Sequence, residues 1–206
     1  MPVYVIADVV DSRRHTDQRR LLAGLGDAVR GLEEARSAAP TTGDEFQAVY
    51  DDLPAAIRSL AGLRLRLLDD PPADRPVELR VGIGVAPGDA PVDAGAPGQA
   101  DPGWWHARAA LEFLTAPRRA WPRLGWWLDG VGDLASGRAL LVALDSLTQR
   151  FDPLDVSLAC GLLAGETARK LADDHGITPQ SVAERLHGHG VYGWVRTLQT
   201  LTEELP

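Results

Sequence analysis

Thr41-Thr42-Gly43-Asp44-Glu45-Phe46-Gln47-Ala48-Val49-Tyr50 reads as two strands around a tight turn at Gly43-Asp44. Upstream, Val3-Tyr4-Val5-Ile6-Ala7 is a nearly continuous apolar run, the pattern of a central strand buried on both faces. Between them Leu21, Leu25, Ala28 and Leu32 form one apolar stripe at helical spacing, and Pro40 ends the connection. Downstream, Leu53-Pro54 opens a second helix carrying Ile57, Leu60, Ala61, Leu67 and Leu68, which Pro71-Pro72 stops. Residues 77–85 (VELRVGIGV) give a fourth strand. The order is βαββαβ, which predicts an α+β fold of the ferredoxin-like kind, an antiparallel sheet with both helices on one face.

Residues 87–103 are rich in Pro, Gly, Ala and Asp and read as a long loop. A helix is expected from Trp104 to Leu114, ended by Pro117, and a further edge strand at 123–128. After Gly132 the pattern becomes wholly helical, beginning with residues 134–151. The expected organisation is an α/β domain over 1–130 and an all-α domain over 131–206.

The 206 residues include a single cysteine, Cys160, so no intramolecular disulfide is available. That usage, the absence of a membrane-length apolar run and the lack of a basic patch at the start point to a cytoplasmic protein without a membrane partner. The net charge of −8 argues against coating nucleic acid by bulk electrostatics and leaves room for a small DNA-reading module.

Asp8 ends the first strand and Asp44 sits at the hairpin tip, and strands one and three are neighbours in this topology. Two converging carboxylates repel unless a divalent cation neutralises them or one stays protonated. Oxygen ligands suit Mg²⁺ or Mn²⁺, which hold substrate phosphates, with Asp11 or Glu45 as further donors. The alternative is that each aspartate serves its turn. Arg13 and Arg14, with Arg19 and Arg20, flank Asp8 and either neutralise a bound phosphate or decorate a solvated helix start. Trp104-Trp105 and Trp126-Trp127 either stack a purine or bury one ring and leave the other at a rim.

The segment from Gly165 to Leu186 reads position by position as a helix-turn-helix. Ala172 is small where two helices cross, Gly176 takes the turn, Ile177 plugs the core below it, Thr178 and Pro179 open the second helix, and Val182 and Leu186 face inward. On that second helix Thr178, Gln180, Ser181 and Arg185 are the candidate DNA contacts. From Asp155 onward four basic residues face seven acidic ones, so dimerisation or domain packing is the other use of the same fold.

Residues 6–12 (IADVVDS), Gly43-Asp44-Glu45-Phe46 and residues 80–84 (RVGIG) resemble the landmarks of class III nucleotidyl cyclases and their diguanylate cyclase relatives. The resemblance implies metal binding by Asp8 and Asp44 and a nucleotide-contacting role for Arg108. Trp104 stands where those enzymes carry a transition-state asparagine, so an active nucleotidyl cyclase is not expected. Over nearly the whole chain the sequence resembles the bacterial SatD family, through the Asp8 to Arg13 start, the Gly43 to Gln47 turn and the C-terminal helix-turn-helix. Together these imply a homodimeric, DNA-binding regulator whose cyclase-like domain senses a metal-bound nucleotide. Two other readings stand beside it: a Mg²⁺- or Mn²⁺-dependent enzyme acting on a nucleoside triphosphate, and a non-catalytic dimeric scaffold.

Overall fold

The computed structural model describes residues 1–88, 101–116 and 124–201. Five strands form one mixed sheet: β1 (Val3–Val9), β2 (Ser37–Pro40), β3 (Glu45–Tyr50), β4 (Leu79–Val85) and β5 (Trp126–Gly130), in the order β2-β3-β1-β4-β5. The first four pair antiparallel, whereas β5 runs parallel to β4 at the edge. β1 is central, as its unbroken apolar run requires.

The hairpin forms earlier in the chain than its sequence suggests. β2 ends at Pro40 rather than starting at Thr41, and residues 41–44 make the connection, with Gly43 at φ 69°. Pro40 is tolerated because β2 is an edge strand, where a missing N–H breaks no ladder. The edge strand expected at 123–128 is shifted to Trp126–Gly130. The expected loop falls largely on residues 89–100, and Pro117 and Arg123 likewise lie outside the described residues.

Alternation along β1 divides the core. Val3, Val5, Ala7 and Val9 face α1 (Gln18–Arg30) and α2 (Leu53–Asp69), meeting Leu21, Leu25, Val29, Ile57 and Leu60. Tyr4 and Ile6 face α3 (Pro102–Thr115) on the other side, with Val49, Trp104, Ala107 and Leu111. α3 lies almost on the backbone of β4: a Cβ at Gly82 would stand 2.3 Å from the Ala107 carbonyl oxygen, and one at Gly84 2.1 Å from that of Gly103. The two glycines of VGIGV are what let the helix come this close. Of each tryptophan pair one ring is core and the other is not: Trp104 is 4% exposed against 64% for Trp105, and Trp126 is buried while Trp127 is half-buried.

Beyond Gly130 every element described is helical: α4 (Ala135–Thr148), α5 (Pro153–Leu163), α6 (Ala168–His175), α7 (Pro179–Gly188) and α8 (Val191–Thr200). α5 packs on the outer side of α2, and the apolar cluster runs without a break from β1 through α2 to Leu158, Leu171, Val182 and Trp194. Arg58 on α2 donates to the Leu201 carbonyl at 3.0 Å, tying the last helix back to the sheet layer. Among the described residues, no helix is long and apolar enough to cross a membrane.

Candidate functional site

Asp8 is the penultimate residue of β1, opposite Glu45 on β3 and Arg80 on β4. Its side chain shares the α3 face with Tyr4 and Ile6 by strand alternation. There it meets Arg80 in a two-pronged contact: Nε donates to Oδ1 at 2.8 Å and Nη2 to Oδ2 at 2.9 Å. Glu45 is bound by two donors of Arg108 of α3, at 2.8 and 2.9 Å. Two bidentate pairs therefore stand side by side at the strand ends, the geometry in which a guanidinium fork matches a carboxylate best. Asp44 follows on the turn, and its charge and that of Glu45 reach Asp8. Burial is the largest influence on Asp8 and pushes its carboxyl above the usual range, against the pull of Arg80.

This geometry bears on each residue singled out in the sequence. Asp8 and Asp44 do come to one sheet edge, but both oxygens of Asp8 are occupied by Arg80, so a cation would first have to displace a guanidinium. Arg108 reaches the site and spends two donors on Glu45. Arg14 pairs with Asp11 at 3.0 Å across an exposed turn, and Arg13 is exposed with no side-chain partner among the described residues. Arg80 and Glu45 complete the site in places the sequence did not mark for these pairings. The signal is the register itself, since an acid and a base fall opposite each other only once the strand pairing is known.

Among the described residues, one group of three or more metal-ligating side chains gathers: Asp152, Asp155 and His189. A cation already fills it. Arg185 Nη1 donates to Asp152 Oδ2 and Asp155 Oδ1, both at 2.8 Å, and His189 Nδ1 lies 2.8 Å from Asp155 Oδ2. Asp155 is 1% exposed and also accepts the Asp152 N–H at 3.2 Å, completing a capping box at the start of α5. The cluster is a clasp between α5 and α7.

The turn between α6 and α7 follows the sequence closely. Gly176 adopts φ 64°, ψ 32°; Ala172 is fully buried; the Ile177 N–H donates to the Ala172 carbonyl at 3.0 Å. Thr178 caps α7 by accepting the Ser181 N–H at 3.0 Å, with Pro179 at the first position. Gln180 is exposed, donating to Glu184 at 2.9 Å, and Ser181 bonds to the Thr178 hydroxyl at 2.8 Å. Arg185 corrects the expectation of an outward DNA contact, because the buried Asp155 carboxylate draws it inward. Lys170 is held between Glu166 and Asp174. Arg169 and Arg196 remain exposed.

A further charged network lies inside. Arg64, on the otherwise apolar face of α2, is 3% exposed; Nη1 donates to Asp145 at 2.7 Å and Nη2 to Glu78 at 3.0 Å. Its Nε is 2.7 Å from Glu78 Oε1, yet the N–H has no acceptor in hydrogen-bond geometry, so this contact is an ion pair only. Asp145 in turn accepts the Gly125 N–H at 2.8 Å and the Gln149 amide at 3.0 Å. An arginine at an inward position among leucines is the readable sign of it. No protein-family model, curated protein or solved structure matches the chain.

Proposed function

We propose that this chain is a DNA-binding regulator resembling the SatD family, in which a ferredoxin-like, cyclase-related α/β part serves as a non-catalytic platform for a C-terminal helix-turn-helix. The observation that carries the reading is the α6–α7 turn: a left-handed Gly176, a buried Ala172 and a Thr178-Pro179 start. That combination leaves the first turn of α7, with Gln180 and Ser181, free of the core, as groove entry requires. The β2-β3-β1-β4 antiparallel order supports the ferredoxin-like assignment of the first part.

Charge limits how such a module would bind. With Arg185 held by the buried Asp155, Arg169, Lys170 and Arg196 are the exposed cations of the last three helices, Lys170 in surface pairs with Glu166 and Asp174. A dimer offering all three from each copy neutralises about six phosphates at most, so log K should fall with log salt with a slope no steeper than roughly −5. Sequence-unbiased selection from random duplexes at low salt tests the reading: one enriched motif, lost with Gln180→Ala, is expected, and no enrichment refutes it. The exposed acidic side chains on the same two helices (Asp173, Asp174, Glu184) favour the second reading, a dimeric scaffold, which that negative result would leave standing.

The Arg80 clasp works against Mg²⁺ or Mn²⁺ at Asp8, and with it against nucleotide sensing and triphosphate chemistry. Calorimetry with Mn²⁺ and each nucleoside triphosphate should show no metal-dependent binding by the wild type. Metal-dependent binding abolished by Asp8→Ala would restore the enzymatic reading.

A further inference from the structure

Of the polar side chains at the start of α7, two are consumed by the turn itself. Thr178 accepts the Ser181 N–H at 3.0 Å, and the Thr178 and Ser181 hydroxyls lie 2.8 Å apart. Gln180 stands clear of them, exposed and turned away from the buried Val182 and Leu186. Its amide is nevertheless held. Nε2 donates to Oε1 of Glu184, one helical turn on and also exposed, at 2.9 Å.

The polarity of this contact follows from chemistry. An ionised carboxylate only accepts, whereas a glutamine amide donates from its nitrogen and accepts at its oxygen. Turning the amide over would set its oxygen against the Glu184 carboxylate, two acceptors with no hydrogen between them. The brace therefore keeps Nε2 toward Glu184 and leaves two groups for a partner: Oε1, which accepts, and the second N–H, which donates. In the major groove adenine complements that pair with its N6 amino group and its N7, while guanine presents O6 and N7, both acceptors. Against guanine the braced amide makes one hydrogen bond and meets O6 with its own oxygen. Without the brace it can rotate to point N–H groups at both guanine acceptors.

We infer that Glu184 is a positioning residue: it fixes the Gln180 amide so that α7 selects adenine over guanine at one base pair of a DNA duplex. The inference rests on the DNA-binding reading and adds to it the base that the helix selects. Glu184 weakens the attraction for phosphates and in return sets what Gln180 can accept.

The test uses the full chain and the motif enriched from random duplexes, with each adenine of that motif changed to guanine in a separate duplex. In the wild type one such change should weaken binding about tenfold or more, as the loss of a two-bond base contact requires. Glu184→Ala, and Glu184→Gln, whose amide accepts as readily as it donates, should bring the cost at that position to within about threefold and leave the other costs unchanged. A merely structural role for Glu184 would weaken all duplexes alike and move no ratio. An adenine analogue with carbon in place of N7, set at the same position, should also weaken wild-type binding, because Gln180 donates there; a base read by Glu184 itself would be indifferent to it. This last arm needs no variant. A motif in which no adenine discriminates against guanine, variants that keep the wild-type ratio at every position, or indifference to the loss of N7 overturns the proposal and leaves DNA binding intact. Failure to enrich any motif removes both.

Discussion

Asp145 shows what one buried charge does for this chain. Its carboxylate and the Arg64 guanidinium are each nearly excluded from water, and removing Asp145 leaves Arg64 with Glu78 as its one carboxylate and the Gly125 N–H without its acceptor. Asp145→Ala should cost about 3 kcal/mol in urea unfolding, the low end for a broken buried pair because Glu78 still holds the guanidinium. Asp8 gives a pH signature of definite sign. Burial raises its folded-state pKa above the unfolded value of about 3.9, so between the two the folded chain binds the extra proton and stability falls as pH rises. The wild-type urea midpoint minus that of Asp8→Asn should decline across that window. A rising difference would mean that Arg80, not burial, dominates. The convergence of Asp8 and Asp44 is legible in sequence because strand order alone sets it. Their partners are not, since Arg80 and Arg108 reach the site through cross-strand register and helix placement, which local pattern does not encode.

At the scale of elements, two glycines separate backbone strain from overpacking. Gly176 sits at φ 64°, and a Cβ added there would meet nothing within 4 Å, so Gly176→Ala carries the left-handed backbone cost alone, roughly 1–2 kcal/mol. Gly82→Ala drives a methyl against the α3 backbone at the Ala107 carbonyl, which no rotamer change relieves. It should cost at least as much as the upper part of the usual range of roughly 1–3 kcal/mol for overpacking, with a correspondingly larger drop in melting temperature. The α6–α7 turn is readable because its small, turning and capping residues each answer a local demand. The α5–α7 clasp is not, because Arg185, at an outward-looking helical position, is claimed by an aspartate of the preceding helical pair, far back along the chain. Arg185→Ala should therefore destabilise the fold by roughly 2–3 kcal/mol, less than a wholly buried pair because the guanidinium is partly exposed. Chemical denaturation checks this, and a neutral result would return Arg185 to the surface.

Over the whole molecule, the change from mixed to all-helical pattern near Gly130 marks a change in secondary structure within a continuous core. α2 is apolar on two sides: one faces β1 and the other receives α5, so Leu60 and Leu158 belong to one cluster. Separating the helices would uncover the outer side of α2 and take from Arg64 one of its two carboxylates, Asp145, combining lost apolar burial with a weakened ion pair. Neither half then has a stable state of its own, and unfolding should be a single cooperative event. Hydrogen exchange at Trp194, 1% exposed in the helical part, reports the packing of the helices, and exchange at Val5 and Ile83 reports the central strands. Coincident urea midpoints for loss of protection at Trp194 and in the strands are the expected result. Loss of protection at Trp194 that precedes loss in the strands would mean that the helices undock first, and that the core is divided at the point where the secondary structure changes.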